Sequence, residues 1–78
     1  MWQKFVGPAF YPSMFRLTHD QRWAVQQLIA RMEKDPRDDI LDPVILDNEL
    51  RELDVAGVWL QYKLNVQEKK ITFIRVSP

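Results

Sequence analysis

Nine residues near the C-terminus constrain this chain more than any other stretch: Val58, Leu60, Tyr62, Leu64 and Val66 alternate with Trp59, Gln61, Lys63 and Asn65. Period two sends successive side chains to opposite faces of an extended strand, so this apolar set demands a sheet with one covered side. Upstream, Arg51-Glu52-Leu53-Asp54-Val55 repeats the alternation and runs into Ala56-Gly57, which reads as a tight turn. Downstream, Gln67-Glu68-Lys69-Lys70 gives a polar turn, and Ile71 to Val76 returns as a β-branched and aromatic strand. Short turns between such strands make them antiparallel neighbours. A three-stranded meander is the expectation.

What covers it comes earlier. Thr18-His19-Asp20-Gln21 has the form of a capping box, in which Thr18 and Gln21 satisfy each other's backbone amides. Val25, Leu28, Ile29 and Met32 then follow at i, i+3, i+4 and i+7, one apolar stripe of a helix. Pro36 disfavours helical geometry at Asp35, which predicts a helix over 18–34. Trp2 to Val6 reads as a short strand ended by Gly7-Pro8. Residues 7–17 read as a connector broken by Pro8 and Pro12, with Phe10, Tyr11, Met14 and Phe15 expected to bury. Residues 37–48 stay open between a short helix, a helical turn and an irregular strand. The fold class is therefore α+β: an N-terminal strand, one main helix, an uncertain segment and an antiparallel meander, with the helix on one sheet face.

At 78 residues this is one domain, 1–78, and 46% hydrophobic content is enough to collapse it. The N-terminus lacks the apolar core of a signal peptide, and no stretch approaches a membrane span, so a soluble cytoplasmic protein is expected. Charges sum to zero but are unevenly placed. Residues 33–54 carry nine acids against Lys34, Arg37 and Arg51, while each flank carries a net +3. That layout argues against a uniformly basic nucleic-acid binder and for a surface that docks a protein partner. It also leaves self-association open.

Enzyme chemistry finds little to work with. There is no cysteine, and His19 is the only histidine, so no usual zinc site can form. His19 beside Asp20 reads as a solvated helix start rather than a general base. The aspartates at 35, 38, 39, 42 and 47 fail the calcium-loop pattern, because the sixth position from Asp38 is Pro43 where a glycine is required. Two glycines, Gly7 and Gly57, cannot build a phosphate loop or nucleophile elbow. Ser13 and Ser77 lack an activating partner. No cofactor, no metal and no catalytic residue is expected. The informative side chains are aromatic. Trp23 lies about 160° round the helix from Val25, so it packs under residues 36–48 or faces a partner, and in so small a domain the first is expected. Trp59 shares the polar side of its strand with Gln61 and Lys63 and poses the same question: tryptophan there is a typical binding anchor, but cover by a second element is commoner.

The order of elements from about Phe15 to Val76 resembles the RelE/ParE superfamily of small bacterial toxins. The resemblance rests on the helix closing in Met32-Glu33-Lys34-Asp35-Pro36 and on Leu50-Arg51-Glu52-Leu53. Gly57-Val58-Trp59-Leu60-Gln61-Tyr62-Lys63-Leu64 looks like the family's Gly-aromatic-Arg-apolar-x-Tyr strand, and Ile71-Thr72-Phe73-Ile74-Arg75-Val76 like its terminal strand. It implies a toxin-like domain with an antitoxin-like protein partner. Ribosome-dependent mRNA endonucleases of the family use basic residues in the meander, with basic and aromatic residues beyond the last strand. Here Trp59 stands where arginine is usual, and the chain stops at Ser77-Pro78, as in a truncated or degenerate member. The first expectation is thus a non-catalytic, gyrase-type or degenerate protein binder contacting its partner through Trp23, Trp59, Lys63 and Arg75. Its alternatives are an mRNA endonuclease acting on ribosomes and a structural adaptor whose partner meets the acidic segment.

Overall fold

A computed structural model of the chain describes residues 2–37 and 42–78. The expected meander is present as β3 (Leu50–Val55), β4 (Val58–Asn65) and β5 (Lys70–Ser77). Two further strands flank it. β1 (Gln3–Val6) lies parallel to β5, and β2 (Val44–Ile45) pairs antiparallel with β3, so the five-stranded sheet runs β1-β5-β4-β3-β2. Among the described residues two helices, α1 (Phe10–Met14) and α2 (His19–Lys34), accompany the sheet. No helix among the described residues is long and apolar enough to cross a membrane.

Local chemistry accounts for the element ends. The Thr18 hydroxyl accepts from the Gln21 amide at 3.2 Å, and the Gln21 side chain accepts from the Thr18 amide at 3.0 Å. Both halves of the box therefore close the N-terminus of α2. At its other end Asp35 adopts an extended conformation (φ −153°, ψ 96°), as the following proline requires. Between β3 and β4, Ala56 (φ 52°) and Gly57 (φ 80°) both sit in the left-handed region. Two consecutive positive φ values define the hairpin turn whose twist matches the flanking strands.

The core forms between α1, α2 and one face of the sheet. Val25, Ile29 and Met32 of α2 are buried against Leu53, Val58, Leu60, Tyr62, Leu64, Ile71, Phe73 and Val76, with Leu28 half-buried at the margin. Strand β5 reaches this arrangement through a bulge. Gln61 pairs with Arg75 but Tyr62 with Phe73, which leaves Ile74 as the extra residue. Plain alternation from Ile71 and Phe73 would have turned Arg75 into the core. The bulge resets the phase, so that Val76 is buried and Arg75 exposed.

Two expectations are corrected, and one open stretch is partly resolved. Residues 7–17 are not simply a connector, because Phe10–Met14 form α1 despite Pro12. First-turn amides have no intrahelical acceptor, so a proline there costs no hydrogen bond. Its aromatics also divide: Phe10 and Met14 enter the core, but Tyr11 and Phe15 remain 61% and 77% exposed. Phe10 and Met14, four apart, lie together on the face of this short helix turned to the sheet, and Tyr11 falls off it. Finally, the open stretch 37–48 contains a two-residue strand at Val44–Ile45. Residues 38–41 lie outside the described residues, and with them the expectation for Asp38 and Asp39.

Candidate partner-binding surface

The helix-free face of the sheet is organised as cross-strand rows. Asp54 of β3 stands beside Trp59 of β4, which pairs with Ser77 of β5. Glu52, Gln61 and Arg75 form the next row, and Leu50, Lys63 and Thr72 the one after. The middle row is hydrogen-bonded across all three strands. Gln61 Nε2 donates to Glu52 Oε1 at 2.6 Å, and Arg75 Nε donates to Gln61 Oε1 at 2.9 Å. The amide thus links a carboxylate to a guanidinium, and each end holds the side chain next to it in place. Toward β1, Phe5 pairs with Thr72 and is 46% exposed, with the Lys70 ammonium 5.8 Å from its ring.

Of the four residues singled out from the sequence, three share this face. Lys63 and Arg75 are exposed, and Trp59 is 39% exposed. Trp59 also borders a groove of about 360 Å³ shared with Leu28 and Arg31 of α2 and with Val44. Trp23 is elsewhere. It projects from α2, whose buried stripe packs on the opposite side of the sheet, and it is 60% exposed. The expectation that Trp23 packs under residues 36–48 is therefore overturned. Its angular distance from Val25 put it beyond the reach of the core, and no described element folds back over it.

Sequence reasoning missed a second surface. Tyr11 of α1 and Phe15, at the C-terminal cap of that helix, flank a cleft of about 380 Å³ closed by Arg22, Ile29 and Ala30 of α2. The aromatic content of 7–17 was visible, but which members face outward depended on α1 forming. Lys4 of β1 and Glu33 of α2 close one end with an ion pair of 2.8 Å, both side chains being partly exposed. Such a pair contributes at most about 1 kcal/mol.

Ser13 has a structural part. Ser13 Oγ donates to the Phe10 carbonyl at 2.6 Å and accepts from the Val76 amide at 3.0 Å, which ties α1 to β5 just beyond the bulge. His19 is exposed at the start of α2. Among the described residues no three of His, Cys, Asp or Glu come together as metal ligands.

This arrangement was compared with known proteins. No family model matches the sequence, and no curated protein matches it. Solved structures do. A chain of the archaeal RelE-RelB complex from Pyrococcus horikoshii OT3 superposes with a TM-score of 0.75 at 11% identity, over 99% of this chain and 93% of that one. A chain of the intact E. coli RelBE toxin-antitoxin complex gives a TM-score of 0.79, also at 11% identity, over 99% and 95%. The fold is RelE-like. At this level of identity the likeness concerns the path of the backbone. The side chains on the RelE-like frame are this chain's own.

Proposed function

We propose that this RelE-like domain works by binding a protein partner of the antitoxin kind, without cutting RNA itself. The observation that carries the reading is the Glu52–Gln61–Arg75 row. Cleavage of RNA requires cations free to stabilise charge developing on phosphate. On the open face the Arg75 Nε is tied to Gln61, which fixes the direction of the guanidinium, the row ends in a carboxylate, and Asp54 stands beside Trp59. Half-exposed aromatic rings beside cations are characteristic of protein contacts, where tryptophan and arginine supply most of the binding energy. Both structural neighbours come from complexes with RelB, one of them named as a toxin-antitoxin complex, which agrees in kind.

Calorimetry with the product of the adjacent gene tests this. Binding is expected, and Trp59→Ala or Arg75→Ala should weaken it by roughly tenfold or more. The endonuclease reading draws on Lys63 and Arg75 sharing the open face. Under it, stoichiometric protein would cut message in a translation reaction and Arg75→Ala would abolish the cutting. That result, without measurable partner binding, would sink the proposal.

A further inference from the structure

A basic aromatic cleft and an acidic aliphatic edge lie at opposite sides of the same molecule. Buried Phe10, Met14 and Ile29 line the cleft of about 380 Å³ between α1 and α2, with the exposed rings of Tyr11 and Phe15 beside them. Three charged side chains also line it. Glu33 is taken by Lys4 at 2.8 Å, but the half-buried guanidinium of Arg22 makes no hydrogen bond or ion pair with any described residue. A cation held partly out of water and unpaired carries a desolvation cost that an incoming carboxylate relieves. The rings beside it suit apolar neighbours of that carboxylate. Asp42-Pro43-Val44-Ile45-Leu46-Asp47 has this chemistry. Ile45 is 66% exposed, Val44 and Leu46 are exposed as well, and an aspartate stands at each end. The Asp47 carboxylate accepts only from the neighbouring Asn48 amide, and Asp42 makes no ion pair with a described residue. Strand β2 spans two residues and follows a proline, too short a template for extending a sheet, so this edge offers side chains rather than backbone.

The chain cannot make this contact with itself. Lys4 places the cleft beside β1, while β2 is pinned to β3. The sheet order β1-β5-β4-β3-β2 puts four strand spacings, about 19 Å, between them. A second copy meets no such limit, and a net charge of zero adds no overall repulsion between copies. We infer that residues 42–47 of one copy seat in the cleft of Tyr11, Phe15 and Arg22 of a second. Ile45 and its apolar neighbours lie against the rings, and an aspartate meets the Arg22 guanidinium. Two unlike patches meeting in this way join copies head to tail. The Glu52–Gln61–Arg75 row stays open, so the contact stands apart from the partner-binding reading.

Sedimentation velocity of the intact chain from roughly 1 μM to 1 mM tests this, the range suited to a small contact. The mean sedimentation coefficient should rise with concentration, and rise less at high salt. Ile45→Ser and Arg22→Glu, both outside the core, should each weaken association about tenfold or more, while Lys69→Glu in the β4–β5 turn should leave it unchanged. The double variant Asp42→Arg/Asp47→Arg should also be monomeric alone. Mixed with Arg22→Glu it should associate again. The acidic cleft of one protein then meets the basic segment of the other, and the native pair of surfaces also survives between them. Circular dichroism checks that each variant is folded. A chain that stays monomeric to the highest concentration overturns the inference, as does association that survives both Ile45→Ser and Arg22→Glu. A mixture of folded variants that stays monomeric overturns the pairing of these two surfaces, and an equal loss in Lys69→Glu reveals nonspecific charge attraction only.

Discussion

The two faces of β4 are built from alternate residues of one strand and follow different rules. Val58, Leu60, Tyr62 and Leu64 are buried under α1 and α2, where shape and volume decide stability. Trp59, Gln61, Lys63 and Asn65 look the other way, and the central one is held by hydrogen bonds to β3 and β5. On the covered face a single lost methylene is felt. On the open face side chains can be exchanged at little cost to folding, which leaves that face free to take on function.

The largest test of this contrast sets two neighbours against each other. Leu60→Ala should lower unfolding free energy by about 2–5 kcal/mol, whereas Gln61→Ala, which breaks the polar row, should cost about 1 kcal/mol or less. Comparable losses in urea unfolding would show that the open face also carries the fold. Gly57→Ala comes next, at about 1–2 kcal/mol, because an alanine is forced to φ 80° with no clash to blame. Its reciprocal, Ala56→Gly, should raise the melting temperature by relieving the same strain one residue earlier.

The smallest effect at neutral pH sharpens the contrast from within the covered face. Burial raises the Tyr62 pKa above its ordinary 10.0, and the nearby Arg51 partly opposes the rise. In the unfolded chain the phenol ionises at its ordinary value, so its contribution is fully present below about pH 10 and is lost as pH climbs toward the higher folded value. Stability of the wild type should therefore fall above pH 10 more steeply than that of Tyr62→Phe. Parallel alkaline unfolding curves for the two proteins would contradict a buried, protonated phenol.

Much of this architecture was legible because its signals are local. The capping box of Thr18 and Gln21, the stop at Pro36 and the alternation of 58–66 each depend on residues a few positions apart, and all three are realised, the strand itself ending at Asn65. Val66 instead enters the turn, where it is 46% exposed. The open-face position of Trp59 and Lys63 followed from the same alternation. Less visible were features that require a second element. α1 forms against β5, secured by Ser13 to the Val76 amide, and Pro12 taken alone argues against it. The short β2 exists through its pairing with β3, since two residues among aspartates carry no period of their own.

The sequence by itself determined that one helix and a meander enclose a single apolar layer, because periodicity and caps are written residue by residue. It also placed a carboxylate, an amide and a guanidinium at 52, 61 and 75 without revealing that they form one row. Only the tertiary structure decided that. The bulge at Ile74 turns Arg75 outward, and it arises because Phe73 and Val76 must both be buried while a guanidinium must reach water. Tertiary structure likewise left Trp23 uncovered and shut the Tyr62 hydroxyl away from any partner among the described residues. Contacts of this kind join positions far apart in the chain, and their energies depend on which groups are excluded from water together.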